Sequence, residues 1–372
     1  MTVRFDRRGV LLGGAAAALS AAAAPALAAT SAEREADFYR RAIVINGNLV
    51  PPLDDEKRLD AETIALFRSS GLTAMKVSMG GSGSPYADTV AELAAYDKAI
   101  GLMPDLLRQV RTVEEINACE RDGRIGIIYS FESVEMHEGK LSRIAEFAAR
   151  GVKVMQLSYN LPSQWASGVM SPQPSQGLTE QGRAAVAQMN ASGVAIDIAH
   201  ADEKSSFGVM AASTRPVTVT HAGCKAVHDH PRHKSDALLR KLADQGGVIG
   251  IFELSYLNGG VRQPTIDDYM AHMTHALKVC GEDGVGIGSD AIMTAFDTTP
   301  ENLAAWAKET ERRKAAGIAA PGEGPPPFVE GLNRPDRAAI VAHELRKRGY
   351  RDRAIEKVLG LNLRRWFRDA WA

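Results

Sequence analysis

The stretch VAIDIAHADEKSSFGVMAASTRPVTVTH, residues 194–221, contains two short β-branched runs, and a histidine follows each of them. The runs VAIDIA (194–199) and PVTVT (216–220) are short and apolar, as buried strands are. The longer segment between them is suited to a helical crossover. A strand, a crossover and a second strand in this order predict parallel pairing in one sheet.

Six further runs of the same kind lie along the chain: AIVIN (42–46), TAMKVSM (73–79), IGIIYSF (125–131), VKVMQLSY (152–159), VIGIF (248–252) and VGIGS (285–289). Amphipathic segments separate the runs, and three of them end in glycine, as at a helix C-cap: DAETIALFRSSG, TEQGRAAVAQMNASG and SDALLRKLADQGG. Eight apolar strands with helical crossovers predict an α/β fold, a closed parallel (β/α)8 barrel of the TIM type. A doubly wound open sheet is the alternative, but no Gly-x-Gly-x-x-Gly motif follows the first run.

Composition agrees with one large globular domain. The chain has 372 residues, of which 45% are hydrophobic and 24% charged, and α/β barrels of this size fold as single domains. We expect residues 37–372 to form one barrel domain that ends in two or three short helices. The formal charge of −1 gives no basic surplus, so neither nucleic acid nor an anionic membrane is an expected partner. Three cysteines without a C-x-x-C motif exclude a cysteine zinc site.

Residues 1–29 have the features of an export signal. Arg7 and Arg8 precede an apolar stretch, as in twin-arginine signals, and Ala26-Leu27-Ala28 offers a cleavage site. The stretch is rich in alanine and glycine rather than leucine, which favours a cleaved signal over an N-terminal anchor. These features predict a periplasmic protein without a stable membrane anchor.

Four ionisable residues stand directly after predicted strands: Glu132, His200, His221 and Asp290. The C-terminal ends of barrel strands meet at one mouth, where barrel enzymes place their active sites. Two neutral imidazoles and a carboxylate make a good ligand set for a divalent ion with one position left to water. Such an ion activates water and polarises a carbonyl, and Asp290 is placed to pass a proton to a leaving amine. The pattern therefore predicts metal-assisted hydrolysis.

Five segments of the chain resemble the membrane (renal-type) dipeptidase family, peptidase family M19. They are GVKVMQLSYN (151–160), GLTEQGRAAVAQMNASGVAIDIAHAD (177–202), RPVTVTHAGCKAVHDHPRHKSDALLRKLADQGGVIGI (215–251), ALKVCGEDGVGIGSDAI (276–292) and VLGLNLRRWF (358–367). The resemblance implies an amidohydrolase-type barrel with a binuclear zinc site that hydrolyses dipeptides, and it suggests a homodimer. It covers most of residues 37–367, in the order of the family.

Residue by residue, the resemblance implies a metal centre with one half missing. Glu132 matches the carboxylate that bridges the two zinc ions, and His200 and His221 match the histidines of the second zinc. The family expects Asp-Gly-His-Asn-Asp after the first strand, whose His-x-Asp completes the first zinc site. Here Asn48 replaces the histidine and Val50 the aspartate, and neither is a useful zinc ligand. We therefore expect one zinc, or another divalent ion, per chain.

The resemblance also implies three residues that handle the substrate. Arg232 matches the arginine that binds the terminal carboxylate, a role suited to its fork of donors. Asp290 matches the acid near the substrate amine and the attacking water. Tyr159 stands where many members have a histidine that contacts the scissile carbonyl, and its hydroxyl offers a similar hydrogen bond. We also expect Trp165 and the loop 162–176 to cover the mouth.

These observations predict an exported metal-dependent hydrolase that cleaves a dipeptide or a similar small amide. Two alternatives remain open. One is a catalytically altered or non-hydrolytic relative that acts in binding or maturation of an exported molecule. The other is a metal-dependent hydrolase of a different bond, such as a lactone or an N-acyl group. Loss of the His-x-Asp pair favours altered chemistry, whereas retention of Glu132 and both histidines favours a hydrolase.

Overall fold

A computed structural model describes residues 31–372, and the predicted signal at 1–29 lies outside the described residues. Within 31–372 the strands are β1 (Ile45–Asn46), β2 (Leu49–Val50), β3 (Ala74–Met79), β4 (Leu107–Gln109), β5 (Ile125–Phe131), β6 (Val152–Met155), β7 (Ala195–Ile196), β8 (Val219–Cys224), β9 (His233–Lys234), β10 (Ile249–Ile251), β11 (Val285–Ile287) and β12 (Ala291–Ile292).

The α-helices of the same range lie mostly between these strands. They are α1 (Ser31–Arg41), α2 (Ala61–Ser69), α3 (Tyr86–Gly101), α4 (Val113–Asp122), α5 (Ser142–Ala149), α6 (Glu180–Ala191), α7 (Glu203–Ala212), α8 (Asp236–Asp244), α9 (Ile266–Cys280), α10 (Pro300–Ala315), α11 (Arg337–Lys347), α12 (Asp352–Glu356) and α13 (Asn362–Trp371). Short 3₁₀ turns at Glu135–His137 and Ser255–Asn258 and a π turn at Lys357–Leu361 complete the set.

The eight main strands pair in parallel in the order β7-β6-β5-β3-β1-β11-β10-β8. The two ends of this order also meet, because Asp197 bridges Thr218 in parallel just beyond β7 and before β8. Ile198 N donates to Thr218 O over 2.8 Å, and Thr218 N donates to Ile196 O over 3.0 Å. These bonds bring the strands round into a barrel. The predicted (β/α)8 architecture is confirmed, and each of the eight predicted runs overlaps one main strand.

The crossover helices begin and end where their sequences indicate. Asp60, Thr179 and Ser235 cap α2, α6 and α8, and each side chain accepts a hydrogen bond from the backbone N–H three residues later. Helix α8 buries Leu238, Leu239 and Leu242 on one face, and each such side chain contributes about 1.5–3 kcal/mol on leaving water.

Helix α13 covers the N-terminal end of the barrel. Trp366 and Phe367 are buried there, with ring centroids 4.8 Å apart, and Trp366 Nε1 donates to Pro216 O over 2.9 Å. Gly360 allows the preceding turn to approach the first strand, because a Cβ at this position would lie 2.4 Å from Ile43 O. The opposite, C-terminal end is therefore the open mouth of the barrel.

The predicted role of Trp165 is wrong. Its side chain is fully buried, with its ring centroid 4.8 Å from that of His137. No residue of 162–176, all of which the structure describes, lines the cavity at the mouth. Helix α10 and the Pro/Gly-rich loop after it, residues 318–334, contribute the covering wall instead.

Neither the cysteines nor the helices of the described residues indicate a further functional feature. Cys119 and Cys224 are buried free thiols, and Cys280 is a half-buried one. Among the helices of residues 31–372, none is both long and apolar enough to cross a membrane.

Candidate metal centre

Glu132, His200 and His221 converge at the C-terminal end of the barrel. Nε2 of His200 lies 3.0 Å from Nε2 of His221. Glu132 Oε2 lies 3.8 Å from His200 Nε2, and Glu132 Oε1 lies 3.7 Å from His221 Nε2. All the ligand atoms fall within 4.8 Å of one another. Glu132 directly follows β5, His200 lies in the segment after β7 and His221 lies within β8, so barrel closure brings the three side chains together.

Hydrogen bonds on the far side of each ring leave both Nε2 atoms without a proton. His200 Nδ1 donates to Asn160 Oδ1 over 2.8 Å. His221 Nδ1 lies 2.8 Å from Thr220 Oγ1, whose own proton goes to Asp197 Oδ2 over 2.5 Å. The threonine hydroxyl therefore accepts from His221. This arrangement fixes both tautomers with the Nε2 lone pairs facing inward, as metal-binding histidines require.

The two facing lone pairs fit a bound cation. They would repel each other at 3.0 Å unless a positive charge lay between them, and two nitrogens on one tetrahedral ion lie about 3.3 Å apart. Burial, with the charge of Arg232 as a second cause, holds the pKa of His200 well below its usual value. Burial also lowers the pKa of His221, against the pull of Glu132. Both rings are therefore neutral near pH 7, as ligands must be.

Asn48 ties together the two carboxylates of the mouth. Its Nδ2 donates to Glu132 Oε1 and to Asp290 Oδ1, each over 2.8 Å. Asn48 thus points donors, not lone pairs, at the position where the family would hold its first ion. Val50, the other replaced ligand, lies in β2 with 55% of its surface exposed at the cavity. These two positions do not fit a second metal ion.

Lys76 supplies a positive charge beside the same carboxylate, which we did not expect from the sequence. The side chain lies inside the barrel on β3 and is 1% exposed, with Nζ 3.4 Å from Glu132 Oε1. Ser78 Oγ and Ser130 Oγ accept from it over 3.0 and 3.1 Å. Burial alone would raise the pKa of Glu132, but His221, Lys76 and the Ser78 hydroxyl outweigh burial and lower it to about 2.

A cavity of about 410 Å³ opens beside the three ligands, and Arg232 forms part of its wall. The Arg232 side chain is 2% exposed, and its Nε and Nη2 lack a hydrogen-bond acceptor within the described part of the chain. The guanidinium lies 5.8 Å from the centre of the Phe252 ring. Buried donors without an acceptor are costly, so this geometry suits a ligand with acceptor oxygens, such as an anion.

Tyr159 and Asp290 line the cavity next to the ligands, as predicted. The Tyr159 ring stacks on His200, with centroids 4.2 Å apart. Asp290 Oδ2 lies 3.9 Å from His221 Nε2, and burial together with the charge of Glu132 raises the pKa of Asp290 to about 6. Asp290 has φ of 52°, a left-handed conformation that aspartate tolerates better than most residues. Of the predicted site residues, Val50, Tyr159, Arg232 and Asp290 thus line this cavity, and the three ligands lie behind Tyr159 and Asp290.

The outer wall of the cavity comes from residues that we did not predict. Trp306, Glu309 and Arg313 of α10 line the cavity together with Glu323, Pro325 and Pro327 of the following loop. Arg313 pairs with Glu323, which also accepts from Tyr256 over 2.9 Å. This wall lies in a segment that follows the last strand. The pattern of strands in the sequence therefore carries no information on it.

The sequence profile of the membrane dipeptidase family (peptidase family M19) matches residues 59–308, more than half of the chain. The match begins after β2, so the segment with Asn48 and Val50 lies outside it. An uncharacterised protein in the pqqA 5′ region of Klebsiella pneumoniae is 26% identical over 300 residues, which are 78% of this chain and 98% of that protein. The chain spans between 45% and 60% of the length of three further curated relatives named as dipeptidases.

Solved structures share the fold over almost the whole described chain. An amidohydrolase from Pseudomonas aeruginosa is 29% identical with a TM-score of 0.77, over 91% of this chain and 99% of that one. The dipeptidase AC, a metallopeptidase of family M19, is 19% identical with a TM-score of 0.72, over 89% of this chain and 99% of its own.

Proposed function

The chain belongs to the membrane dipeptidase family, peptidase family M19, and on that premise we propose that it hydrolyses a small amide with one divalent ion held by Glu132, His200 and His221. The observation that carries the proposal is the meeting of these three ligands, with both Nε2 lone pairs facing inward at 3.0 Å. Arg232 lines the adjoining cavity, and its Nε and Nη2 have no acceptor within residues 31–372, which supports a substrate with a carboxylate.

When bound, the ion would polarise the amide carbonyl and lower the pKa of a water molecule. The residues of the chain would do the rest. Arg232 binds the carboxylate of the substrate through two parallel hydrogen bonds. Tyr159 donates its hydroxyl proton toward the carbonyl oxygen. Asp290 takes a proton from the attacking water and returns it to the leaving nitrogen.

A single ion follows from the chemistry of the positions that replace the first site. Asn48 turns the N–H groups of its amide toward Glu132 and Asp290. The side chain of Val50 has no atom that can bind a metal ion. The ammonium of Lys76 already lies 3.4 Å from Glu132. We propose zinc as the ion, because two imidazoles and a carboxylate are a common zinc ligand set.

The wider setting of the activity rests on sequence features. The twin-arginine pattern at 1–29 supports export to the periplasm, and family membership supports a peptide-like substrate and a homodimer. The altered first site also suits the alternative, a non-hydrolytic relative that binds or matures an exported molecule.

Metal content and hydrolysis test the proposal together. Protein purified without added metal should contain about one zinc ion per chain by elemental analysis and should cleave Ala-D-Ala or a similar small amide. His200→Ala should lose both the ion and the activity. His228→Ala is the matched control, because His228 is a half-buried histidine outside the ligand set. A wild-type protein that contains no ion and gains no activity with added zinc would contradict the hydrolase proposal and favour the alternative.

A further inference from the structure

Val50 and Ile292 form a pair of apolar side chains next to Asp290. Strands β2 and β12 pair in parallel, and Val50 is the register partner of Ile292. Ile292 follows Asp290 by two residues, and all three residues line the cavity of the site. Val50, which stands where the family has a ligand carboxylate, exposes 55% of its surface. An apolar group of a ligand that covered this surface would be stabilised there by the hydrophobic effect.

The cavity lining continues the apolar surface into α10 and the loop after it. Trp306 packs edge-on against Phe296, with ring centroids 5.8 Å apart. Nε1 of Trp306 donates to Gly324 O over 2.9 Å, so the polar group of the indole is already satisfied within the protein. Pro325 and Pro327 add further apolar surface to the same lining.

The charged side chains that α10 contributes to the lining have partners within the protein. Glu309 pairs with Arg312 through two hydrogen bonds of 2.6 and 2.7 Å, and Arg313 pairs with Glu323. This part of the cavity therefore offers a ligand mainly apolar contacts.

The apolar pair and Arg232 lie at different sides of the barrel mouth. Arg232 lies in the segment after β8 and Val50 in the segment after β1, and strands β11 and β10 separate β1 from β8 in the barrel. The ligand residue His221 and Asp290 lie between the two sides, with Asp290 Oδ2 3.9 Å from His221 Nε2. A substrate whose carboxylate binds Arg232 and whose amide lies at the ligands thus extends its amino-terminal residue toward Val50.

Asp290 locates that amino-terminal residue more closely. Its Oδ1 accepts from Asn48, whereas its Oδ2 accepts no hydrogen bond from residues 31–372, and the side chain is 23% exposed in the cavity lining. Oδ2 is therefore available to an α-ammonium group. An ammonium group bound there holds the side chain of the same amino acid beside Val50 and Ile292.

We propose that this site selects dipeptides with a large apolar side chain on the amino-terminal residue, and that Val50, Ile292 and Trp306 form the subsite for it. The inference rests on the proposed hydrolase function and narrows it. A cavity of about 410 Å³ is large enough for such a ligand. In the reaction, the oxygen of water bonds to the carbonyl carbon of the apolar residue and the C–N bond breaks. The two protons of the water end on the leaving nitrogen, which gives two free amino acids.

Two dipeptides of nearly equal shape test the inference. Leucyl-D-alanine and asparaginyl-D-alanine carry the same ammonium and carboxylate groups, but asparagine places a polar amide where leucine has two methyl groups. With the metal-loaded protein, kcat/KM should be at least about 10-fold higher for leucyl-D-alanine, because an apolar subsite leaves the amide without hydrogen-bond partners. Equal rates, or a faster asparaginyl-D-alanine, would overturn the inference and leave the hydrolase function standing.

A substitution at the apolar pair gives a second test. Val50→Thr keeps the shape of the side chain and replaces a methyl group by a hydroxyl group, so the ratio of the two kcat/KM values should fall by about 3-fold or more. Val261→Thr is the matched control, since Val261 is 82% exposed and lies outside the cavity lining, and its ratio should equal that of the wild type. An unchanged ratio in Val50→Thr would show that Val50 does not contact the selected side chain.

Failure of the proposed function has a different signature. If the metal-loaded protein cleaves neither dipeptide, the hydrolase proposal is wrong, and calorimetry then measures the affinity of both dipeptides for that same protein. Tighter binding of leucyl-D-alanine that weakens in Val50→Thr would still support the apolar subsite, and equal binding of the two dipeptides would reject it.

Discussion

Nζ of Lys76 lies 3.4 Å from Oε1 of Glu132 inside the barrel, where the two side chains are 1% and 16% exposed. The family would hold its first metal ion next to this carboxylate, with a histidine and an aspartate as further ligands. In this chain the ammonium and the amide of Asn48 neutralise and fix Glu132 instead. The ammonium of Lys76 thus offsets the charge of Glu132 beside the position where the family would hold its first ion.

Lys76→Met should destabilise the protein strongly, because removal of one partner leaves a buried charge unpaired. We expect a loss of about 3–5 kcal/mol in the free energy of unfolding, measured by urea denaturation. Lys98→Met is the matched control, since Lys98 pairs with Asp55 at the surface over 3.7 Å and such pairs contribute at most about 1 kcal/mol. Equal losses in the two variants would show that the buried Lys76–Glu132 pair stabilises the fold no more than a surface pair does.

Restoring the family ligands should not by itself restore a second ion. In Asn48→His/Val50→Asp the ammonium of Lys76 would still repel a nearby cation, by about 4 kcal/mol per unit charge at 4 Å and an effective dielectric of 20. We expect about one ion per chain in the double variant and about two when Lys76→Met is added, by elemental analysis after dialysis against zinc. Two ions in the double variant would contradict this electrostatic account.

Two buried arginines should respond in opposite directions to the same substitution. Arg232→Met removes a charge without an acceptor for Nε and Nη2 in the described chain, so ligand-free protein should gain about 1–3 kcal/mol of stability while substrate binding weakens. Arg337→Met removes the partner of Glu253, at 3.1 Å and with both side chains buried, and should cost about 3–5 kcal/mol. Urea denaturation of both variants measures the difference, and a destabilised Arg232→Met would show that its charge is satisfied within the fold.

Acid should destabilise the protein between about pH 6.5 and pH 4. Burial lowers the pKa of His137, His230 and His272 to about 4 each, so in this window the unfolded chain binds protons that the folded chain does not. The contribution of the three histidines to the free energy of unfolding is therefore fully present above pH 6.5. It is lost as the pH falls, by about 3 kcal/mol per histidine at pH 4. His137→Phe should reduce the slope of unfolding free energy against pH, and an unchanged slope would exclude His137 as a contributor.

Strand positions were readable from the sequence because a barrel strand is a short apolar run buried on both faces. For the same reason the residues directly after the runs, such as Glu132 and His200, could be placed at one mouth. Lys76 was missed because a lysine within a strand reads as a solvent-facing residue, and only barrel closure shows that its neighbours are Glu132 and two serines. Asn160, which orients His200 over 2.8 Å, follows no periodic pattern either.

Trp165 shows the opposite error. Its position in a long polar loop suggested a lid, yet the side chain fills a space between the loop and the barrel wall and contacts His137. A large aromatic side chain in a loop buries much surface wherever the loop folds back, and sequence spacing does not show where that is. The actual wall at Trp306 and Arg313 depends on how α10 crosses the mouth.

The residues that would bind an ion lie in or just after strands, whereas the outer face of the cavity is formed by α10 and the loop that follows it. Relatives that share this barrel could therefore differ in α10 and the following loop, and so in substrate specificity, while they keep the same metal ligands. Exchange of this segment between two relatives would be a direct way to change the substrate of the barrel.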